Sequence, residues 1–459
     1  MIPLSLRHIA DVVSGTLVDV DDPNAIVTNV VADSREAQQG SLFVAIVGER
    51  VDGHDYVDDV MQAGAVAVLA GHAVGVPAIV VPDPVVALGI LAHAQLALVP
   101  DLKVVAITGS SGKTSTKDLV AQVAGAMGPV VSPPGSYNTE VGVPLTVLSI
   151  TPETRVLVLE FGMRGIGHIQ ALTQIAPPDI AVVLNIGSAH LELLGGKDAI
   201  AQAKGEIVRG LAPGGVAIVN GDDPYALGTK GDRPGLTFGE GVSCDVRATD
   251  VRLDELARPS FTLHADGDAQ PISLQVHGEH FVSNALAAAA VGVALGLSIE
   301  IIADVLRAAR VESRWRMEVH RSTNGAIVIN DAYNANPESM RAALKALVAM
   351  AAGRRSWAVI GEMRELGASS LDEHDAIGRL AVRLDVSRLI AVGEGARAVH
   401  LGAAHEGSWG NESIWVPGAD DALALLKAEV GPDDVVLVKA SRASGLEVVA
   451  TGLIEEGDQ

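Results

Sequence analysis

One stretch constrains the chain more than any other: Val104-Val105-Ala106-Ile107-Thr108-Gly109-Ser110-Ser111-Gly112-Lys113-Thr114-Ser115-Thr116. An apolar run of strand type meets a loop of small residues, then Lys-Thr, then a helical pattern through Met127. Small residues let backbone N–H groups curl around phosphate oxygens, and a helix start adds the positive end of its dipole. Lys113 suits the terminal phosphates, and the Thr114 hydroxyl suits Mg²⁺. The usual phosphate-loop pattern, G-x-x-x-x-G-K-[ST], needs Gly at position 107, where this chain has Ile107. What remains is a shorter T-G-x-x-G-K-T. The order strand, loop, helix is the order the mechanism requires, so the stretch predicts binding of a nucleoside triphosphate. It does not say what the triphosphate is used for.

With 459 residues the chain exceeds one ordinary core, and about three domains are expected. Apolar residues make up 48% and aromatics only 3%, so the cores are built from Val, Leu, Ile and Ala. The formal charge of −23 argues against a nucleic-acid-binding surface, so no nucleic-acid partner is expected. A polyphosphate ligand then needs a local basic pocket or metal ions. Cys244 is the single cysteine, which excludes an intrachain disulfide. The opening residues lack a secretory pattern, and the longest apolar run, 285–297, is too short to span a bilayer. A soluble, cytoplasmic monomer with no membrane insertion is expected.

Residues 1–100 alternate strand and helix signals and form a small α/β domain. Strands are read at 27–32, 41–47, 65–70 and 78–81, with a helix at 56–63. Ser34 and Arg35 follow the first strand and Arg50 the second, which makes this domain a candidate for holding substrate. Residues 101–312 form a central domain around a parallel sheet. There Glu160 ends an apolar strand, beside the phosphate loop, where a Mg²⁺ ligand fits. His190 follows the strand at 180–186 and is a candidate metal or phosphate ligand at the same sheet edge. Lys204 lies in a helix read over 197–211, and from spacing alone it belongs to a solvated face. Residues 240–276 read as antiparallel strands, and 281–295 as an Ala-rich helix holding Asn284. Residues 313–459 read as a second doubly wound, Rossmann-like α/β domain.

The whole chain resembles the Mur ligases, the ATP-dependent amide-forming enzymes of peptidoglycan synthesis. Thr108–Thr114 matches that family's shortened phosphate loop, and Glu160 with Gly162, Asn185 with His190, and Lys204 fall in the family's order. In the last domain Asp331-Ala332-Tyr333-Asn334-Ala335-Asn336-Pro337, Gly361-Glu362-Met363-Arg364-Glu365-Leu366-Gly367 and Lys439-Ala440-Ser441-Arg442 resemble the branch that adds D-alanyl-D-alanine to UDP-N-acetylmuramoyl-tripeptide. Two departures stand out. Ala440 replaces a common Gly, and His280-Phe281 replaces a common His-Asn.

The resemblance implies that Gly109, Ser110, Ser111, Gly112, Lys113, Thr114 and Ser115 hold the ATP phosphates. Thr114 with Glu160 would bind one Mg²⁺, and Glu160 with His190 a second. Lys204 resembles a lysine that several members carry as a carbamate. Lys113, Glu160, His190 and Lys204 would thus be the catalytic set. Asn284, Arg316, Asp331, Asn334 and Asn336 would contact the nucleotide. Ser34 and Arg35, with Asn138 and Thr139, would hold the UDP-linked substrate. The implied reaction passes through an acyl phosphate, and no residue is singled out as the base for the incoming amine. Two other readings stay open: another amide ligase of the superfamily, such as a folylpolyglutamate synthase, and a nucleotide-dependent switch that makes no amide.

Overall fold

The computed structural model describes residues 1–48, 51–187, 195–408 and 410–454. Its centre is a nine-stranded sheet in the order Asp268–Ser273, Pro259–Ala265, Val246–Leu253, Gly235–Gly239, Val216–Asn220, Ile180–Val183, Lys103–Thr108, Val156–Glu160, Val130–Val131. All pairs are parallel up to Val246–Leu253, and two antiparallel pairs then extend the sheet through the region expected to be antiparallel. The Lys103–Thr108 strand lies between Val156–Glu160 and Ile180–Val183, with Glu160 opposite Ile107 and Val183 opposite Thr108. The chain reverses its direction of travel across the sheet beside this strand, which puts a ligand crevice at its carboxyl end.

Strand alternation divides the Lys103–Thr108 strand between two cores. Val105 and Ile107 pack with the Lys113–Ala124 and Phe281–Ala294 helices, and the same core continues into Ile329, Met340 and Leu344 of the third sheet's layer. Ala287–Ala290 are wholly buried, and their small side chains let the two helices approach closely. Val104 and Ala106 face a second core that continues into Leu42, Leu69 and Leu88 of the amino-terminal layer. Each Val or Leu buried there contributes about 1.5–3 kcal/mol relative to exposure.

The amino-terminal sheet runs Thr16–Val18, Ala78–Val80, Ala67–Ala70, Ser41–Val44, Asn29–Val31. The strand read over 27–32 is two strands: Ile26–Val27 pairs with Leu4–Ser5, and Asn29–Val31 joins the main sheet. A helix that sequence reading missed, Pro84–Leu96, packs on Gly142–Leu148 of the central layer. Its start has a local cause, since Asp83 accepts from Val85 N and Val86 N and Pro84 supplies the first-turn φ. The helix read over 197–211 breaks at Gly205 into Lys197–Lys204 and Glu206–Arg209, as the poor helix propensity of Gly favours.

The third sheet runs Glu318–Arg321, Ile327–Asn330, Val435–Lys439, Ser356–Ile360, Arg388–Val392, Ser413–Val416. It is parallel apart from its first pair, as a doubly wound unit requires. Among the described residues no helix is long and apolar enough to cross a membrane.

Candidate active site

The Gly109–Gly112 loop is held open by Asn185, which follows the Ile180–Val183 strand. Asn185 Oδ1 accepts from Ser110 N and Ser111 N, both at 2.9 Å, while its Nδ2 donates to Ser111 O at 3.2 Å. Gly187 N donates to Ser110 Oγ at 2.8 Å. Gly112 caps the Lys113–Ala124 helix at φ +78°, and a Cβ built on it would lie 2.8 Å from Asn284 Oδ1. The left-handed backbone favours glycine, and a Cβ there would also press on the Asn284 side chain.

At the next strand end, Thr114 Oγ1 donates to Glu160 Oε2 at 2.8 Å, and Asn138 Nδ2 donates to Glu160 Oε1 at 2.6 Å. Ser136 Oγ lies 2.8 Å from Thr114 Oγ1 and donates to it, since the single Thr114 proton is committed to Glu160. Glu160 is buried, and among the described residues no Lys or Arg nitrogen lies within 4 Å of its carboxylate. A buried carboxylate beside a hydroxyl is a hard oxygen donor set of the kind that takes Mg²⁺ together with phosphate oxygens.

Lys113 Nζ and Lys204 Nζ donate to one carbonyl, Gly109 O, at 2.9 and 3.1 Å. Lys204 is therefore buried under the loop and not on a solvated face, contrary to its reading from spacing. Burial, and then the neighbouring Lys113 cation, push its pKa well below the ordinary lysine value. Burial also lowers Lys113, against the attraction of Glu160.

The third layer closes over the loop. Arg316 Nη2 donates to Thr114 Oγ1 at 3.1 Å and to Ser136 Oγ at 3.2 Å, and its guanidinium stacks 4.2 Å from the Tyr333 ring. Trp315 and Met317 on either side of it hold positive φ of 59° and 52°, a backbone that non-glycine residues adopt at a cost. Asn336 Nδ2 donates to Ser110 O at 3.1 Å. Lys439 Nζ binds Asp331 Oδ2 at 2.7 Å and Asn334 O at 2.8 Å, so one buried lysine holds both residues. Asn284 Nδ2 is buried with no hydrogen-bond partner among the described residues. It lines a cavity of about 160 Å³ with Gly112, Asn185, His280, Arg316 and Lys439.

A larger cleft of about 460 Å³ opens beside Lys113, Asn138, Thr139, Arg164, His168 and Glu365. Ser34 and Arg35 are not part of this gathering. Arg35 is 87% exposed in its side chain and paired with Asp33. Burial, and then the Glu36 and Asp33 charges, raise the pKa of Tyr137. His190, Arg50 and the rest of 188–194 lie outside the described residues. Sequence reading missed the buried Lys117–Asp118 pair, 2.6 Å apart. Asp118 accepts from Glu312 N, Ser313 N and Ser313 Oγ at 3.1, 2.9 and 3.0 Å and so anchors the segment leading to Arg316. No motif marks such a pair, because Lys and Asp in a helix ordinarily belong to a solvated face.

A phosphate loop, an acid at the neighbouring strand end and a third α/β layer reaching back onto the loop define a ligase of three-layer design. Three family models match the chain in turn: "Mur ligase family, catalytic domain" over residues 26–104, "Mur ligase middle domain" over 107–292, and "Mur ligase, glutamate ligase domain" over 315–442. The chain belongs to the Mur ligase family. It is 46% identical to the UDP-N-acetylmuramoyl-tripeptide–D-alanyl-D-alanine ligase of Mycobacterium tuberculosis, over 99% of this chain and 98% of the relative. It is 35% identical to the ligase of the same name from Bacillus subtilis, over 99% of each. Among solved structures it is similar to MurF from Acinetobacter baumannii, with a TM-score of 0.88 and 32% identity over 98% of each chain. It is also similar to MurF ligase from Thermotoga maritima in complex with ADP, with a TM-score of 0.80 and 30% identity, over 93% of this chain and 97% of that one.

Proposed function

We propose that this chain is an ATP-dependent ligase that joins D-alanyl-D-alanine to the free carboxylate of UDP-N-acetylmuramoyl-tripeptide in peptidoglycan precursor synthesis. One observation carries the reading: the convergence of Lys113, Thr114, Glu160, Arg316 and Asn336 on one phosphate loop. Full-length similarity to ligases named for that reaction supports the substrates.

In this reading residues 1–100 hold the UDP-linked substrate, 101–312 bind ATP, and 313–459 complete the nucleotide site and receive the dipeptide. Gly109 to Ser115 cradle the phosphates, and Lys113 neutralises charge that would repel the tripeptide carboxylate. Asn284, Arg316 and Asp331 face the nucleoside side of the loop, while Asn334 and Asn336 approach its phosphate side. Asn138 and Thr139 border the tripeptide, and Ser34 with Arg35 reach the uridine nucleotide. Thr114 and Glu160 would hold Mg²⁺, with Glu160 and His190 available to a second ion. Bound there, the metal supplies charge compensation at the transferring phosphoryl group. Transfer to the carboxylate gives an acyl phosphate, which the dipeptide amine attacks to expel phosphate. Reliance on ATP and a UDP-linked substrate suits the cytoplasm.

The depressed pKa of Lys204 supports a further step at that residue. A neutral Nζ attacks CO₂, the C–N bond forms, one proton is released, and a carbamate anion results. The second lysine on Gly109 O would thereby become an acceptor beside Glu160. ¹³C-bicarbonate labelling checks this: a carbamate resonance present in the native chain and missing in Lys204→Met supports it, and identical spectra reject it.

The main test measures phosphate release with ATP–Mg²⁺ and UDP-N-acetylmuramoyl-tripeptide, with and without D-alanyl-D-alanine. Release that depends on the dipeptide, with a product of pentapeptide mass, is the expected result. Incorporation of L-glutamate or diaminopimelate instead would move the chain to another branch of the family.

A further inference from the structure

Nothing in the site described so far receives the acceptor amine or its proton. The Gly361–Gly367 segment does face the right place. A pocket of about 320 Å³ lies between the phosphate loop and the third layer, bordered by Lys113, Asn334, Asn336, Arg364, Glu365 and Arg442. Lys113, Asn334 and Glu365 border this pocket and also the larger cleft that holds Asn138 and Thr139. The three residues therefore stand at the junction of two cavities.

Among the described residues Glu365 is the one carboxylate bordering both cavities, and it is exposed to solutes entering either. Its backbone has φ +64°, which a β-carbon disfavours. The segment is pinned on both sides: Met363 N donates to buried His374 Nε2 at 2.9 Å, Arg364 N donates to Ser441 Oγ at 3.0 Å, and Leu366 is buried. Anchors on either side thus hold an unfavourable conformation at an exposed residue, as occurs where position matters more than local comfort. The Glu365 charge is close enough to Lys113 to favour its protonated form.

We propose that Glu365 holds the amine of the acceptor dipeptide at this junction and carries its proton to the departing phosphate, while Arg364 and Arg442 face the dipeptide's terminal carboxylate. This rests on the ligase reading above. A free α-amine has a pKa near 8, so roughly half is neutral at pH 8. The neutral nitrogen attacks the acyl-phosphate carbonyl carbon, the C–N bond forms, and the nitrogen becomes cationic. The Glu365 carboxylate takes one N–H proton from it. The C–O bond to phosphate then breaks, with the electron pair leaving on phosphate oxygen. Glu365 returns the proton to that oxygen, so hydrogen phosphate departs and the carboxylate is restored. A residue beside both the amine and the Lys113-held phosphate is what such a transfer needs.

The test compares Glu365→Gln with the native enzyme, using two acceptors. Hydroxylamine is largely unprotonated at neutral pH and traps acyl phosphates without help from a protein base. D-alanyl-D-alanine needs both binding and proton transfer. The expected result for Glu365→Gln is hydroxamate formation within about 3-fold of native and dipeptide turnover lower by about 10²–10⁴-fold, the range of general base catalysis. The dipeptide amide, which lacks the terminal carboxylate, should show a KM at least roughly 10-fold higher with native enzyme, as loss of a charge-assisted contact implies. Dipeptide turnover in Glu365→Gln within about 3-fold of native overturns the proposal, as does an equal loss of hydroxamate. If native enzyme gives hydroxamate but no dipeptide product, the choice of acceptor in the ligase reading fails instead, and the two failures are told apart.

Discussion

Asn336 Nδ2 donates to the carbonyl of Ser110 across 226 positions of sequence, at 3.1 Å. The same side chain caps the Pro337–Ala351 helix, where its Oδ1 accepts from Ser339 N at 2.8 Å in a capping box. One amide therefore fixes a helix start and ties the third layer to the phosphate loop. The two roles use different atoms and can be separated.

Asn336→Asp keeps the capping oxygen and loses the donor. It should keep the helix cap while KM for ATP rises about 10-fold or more, because the lost hydrogen bond is joined by repulsion between the new carboxylate and the Ser110 carbonyl and phosphates. Asn336→Ala loses both and should also lower stability by about 1 kcal/mol. Steady-state kinetics with thermal melts decides it; an unchanged KM in both variants would show that the contact to Ser110 is idle.

Thr114 sits under three partners, Glu160, Ser136 and Arg316. Thr114→Ser preserves the hydroxyl and should retain turnover within about 3-fold. Thr114→Ala should lose about 100-fold or more, the scale of removing one electrostatic contact at a transferring group. Phosphate release across a Mg²⁺ titration measures both, and a fully active Ala variant would remove the hydroxyl from the mechanism.

Lys117 is buried, donates to Pro133 O at 2.6 Å and pairs with buried Asp118. Lys117→Met should destabilise by about 3 kcal/mol or more, since it leaves a buried carboxylate without its cation. Adding Asp118→Asn should cost less than the sum of the two single changes. Urea unfolding tests the coupling, and strict additivity would mean the pair acts as two independent groups.

Burial lowers the pKa of His280 from 6.5 to about 4, with Asp331 acting to raise it and Lys439 to lower it. The folded value lies below the unfolded one, so the unfolded chain binds more protons between those limits. Stability is then complete above pH 6.5 and falls as the pH drops toward 4, by about 2–3 kcal/mol from this residue. His280→Gln should flatten that part of the pH–stability curve. Parallel curves for the two proteins would place the acid sensitivity elsewhere.

Much of this site was legible because its parts are contiguous or end strands. Thr108–Thr114 carries its own signal, and Glu160 was found by following an apolar run to its last residue. The turn 331–337 announced itself through Asn and Pro. What stayed hidden depends on which elements meet. Lys204 looked like a solvated lysine because spacing within one helix says nothing of a loop laid over it. Asp118 and Lys117 were silent for the same reason. Glu365 sat inside a quoted motif, yet its place between two cavities follows from the third layer's docking. In the fold, the Asp83-Pro84 start of Pro84–Leu96 is a local signal, whereas the break at Thr28 arises from pairing with Leu4–Ser5, which no local pattern encodes.

The Lys113–Ala124 helix begins at the Gly109–Gly112 loop, carries Thr114 in its first turn and, four residues later at Asp118, grips the segment that leads to Arg316. Those two positions are separated by about 6 Å along the helix axis. Loop contact and interlayer anchor are thus mounted on one short rigid strut. A shift of the loop would need no relay through the sheet to reach the segment leading to Arg316, because the same turn of helix carries both contacts.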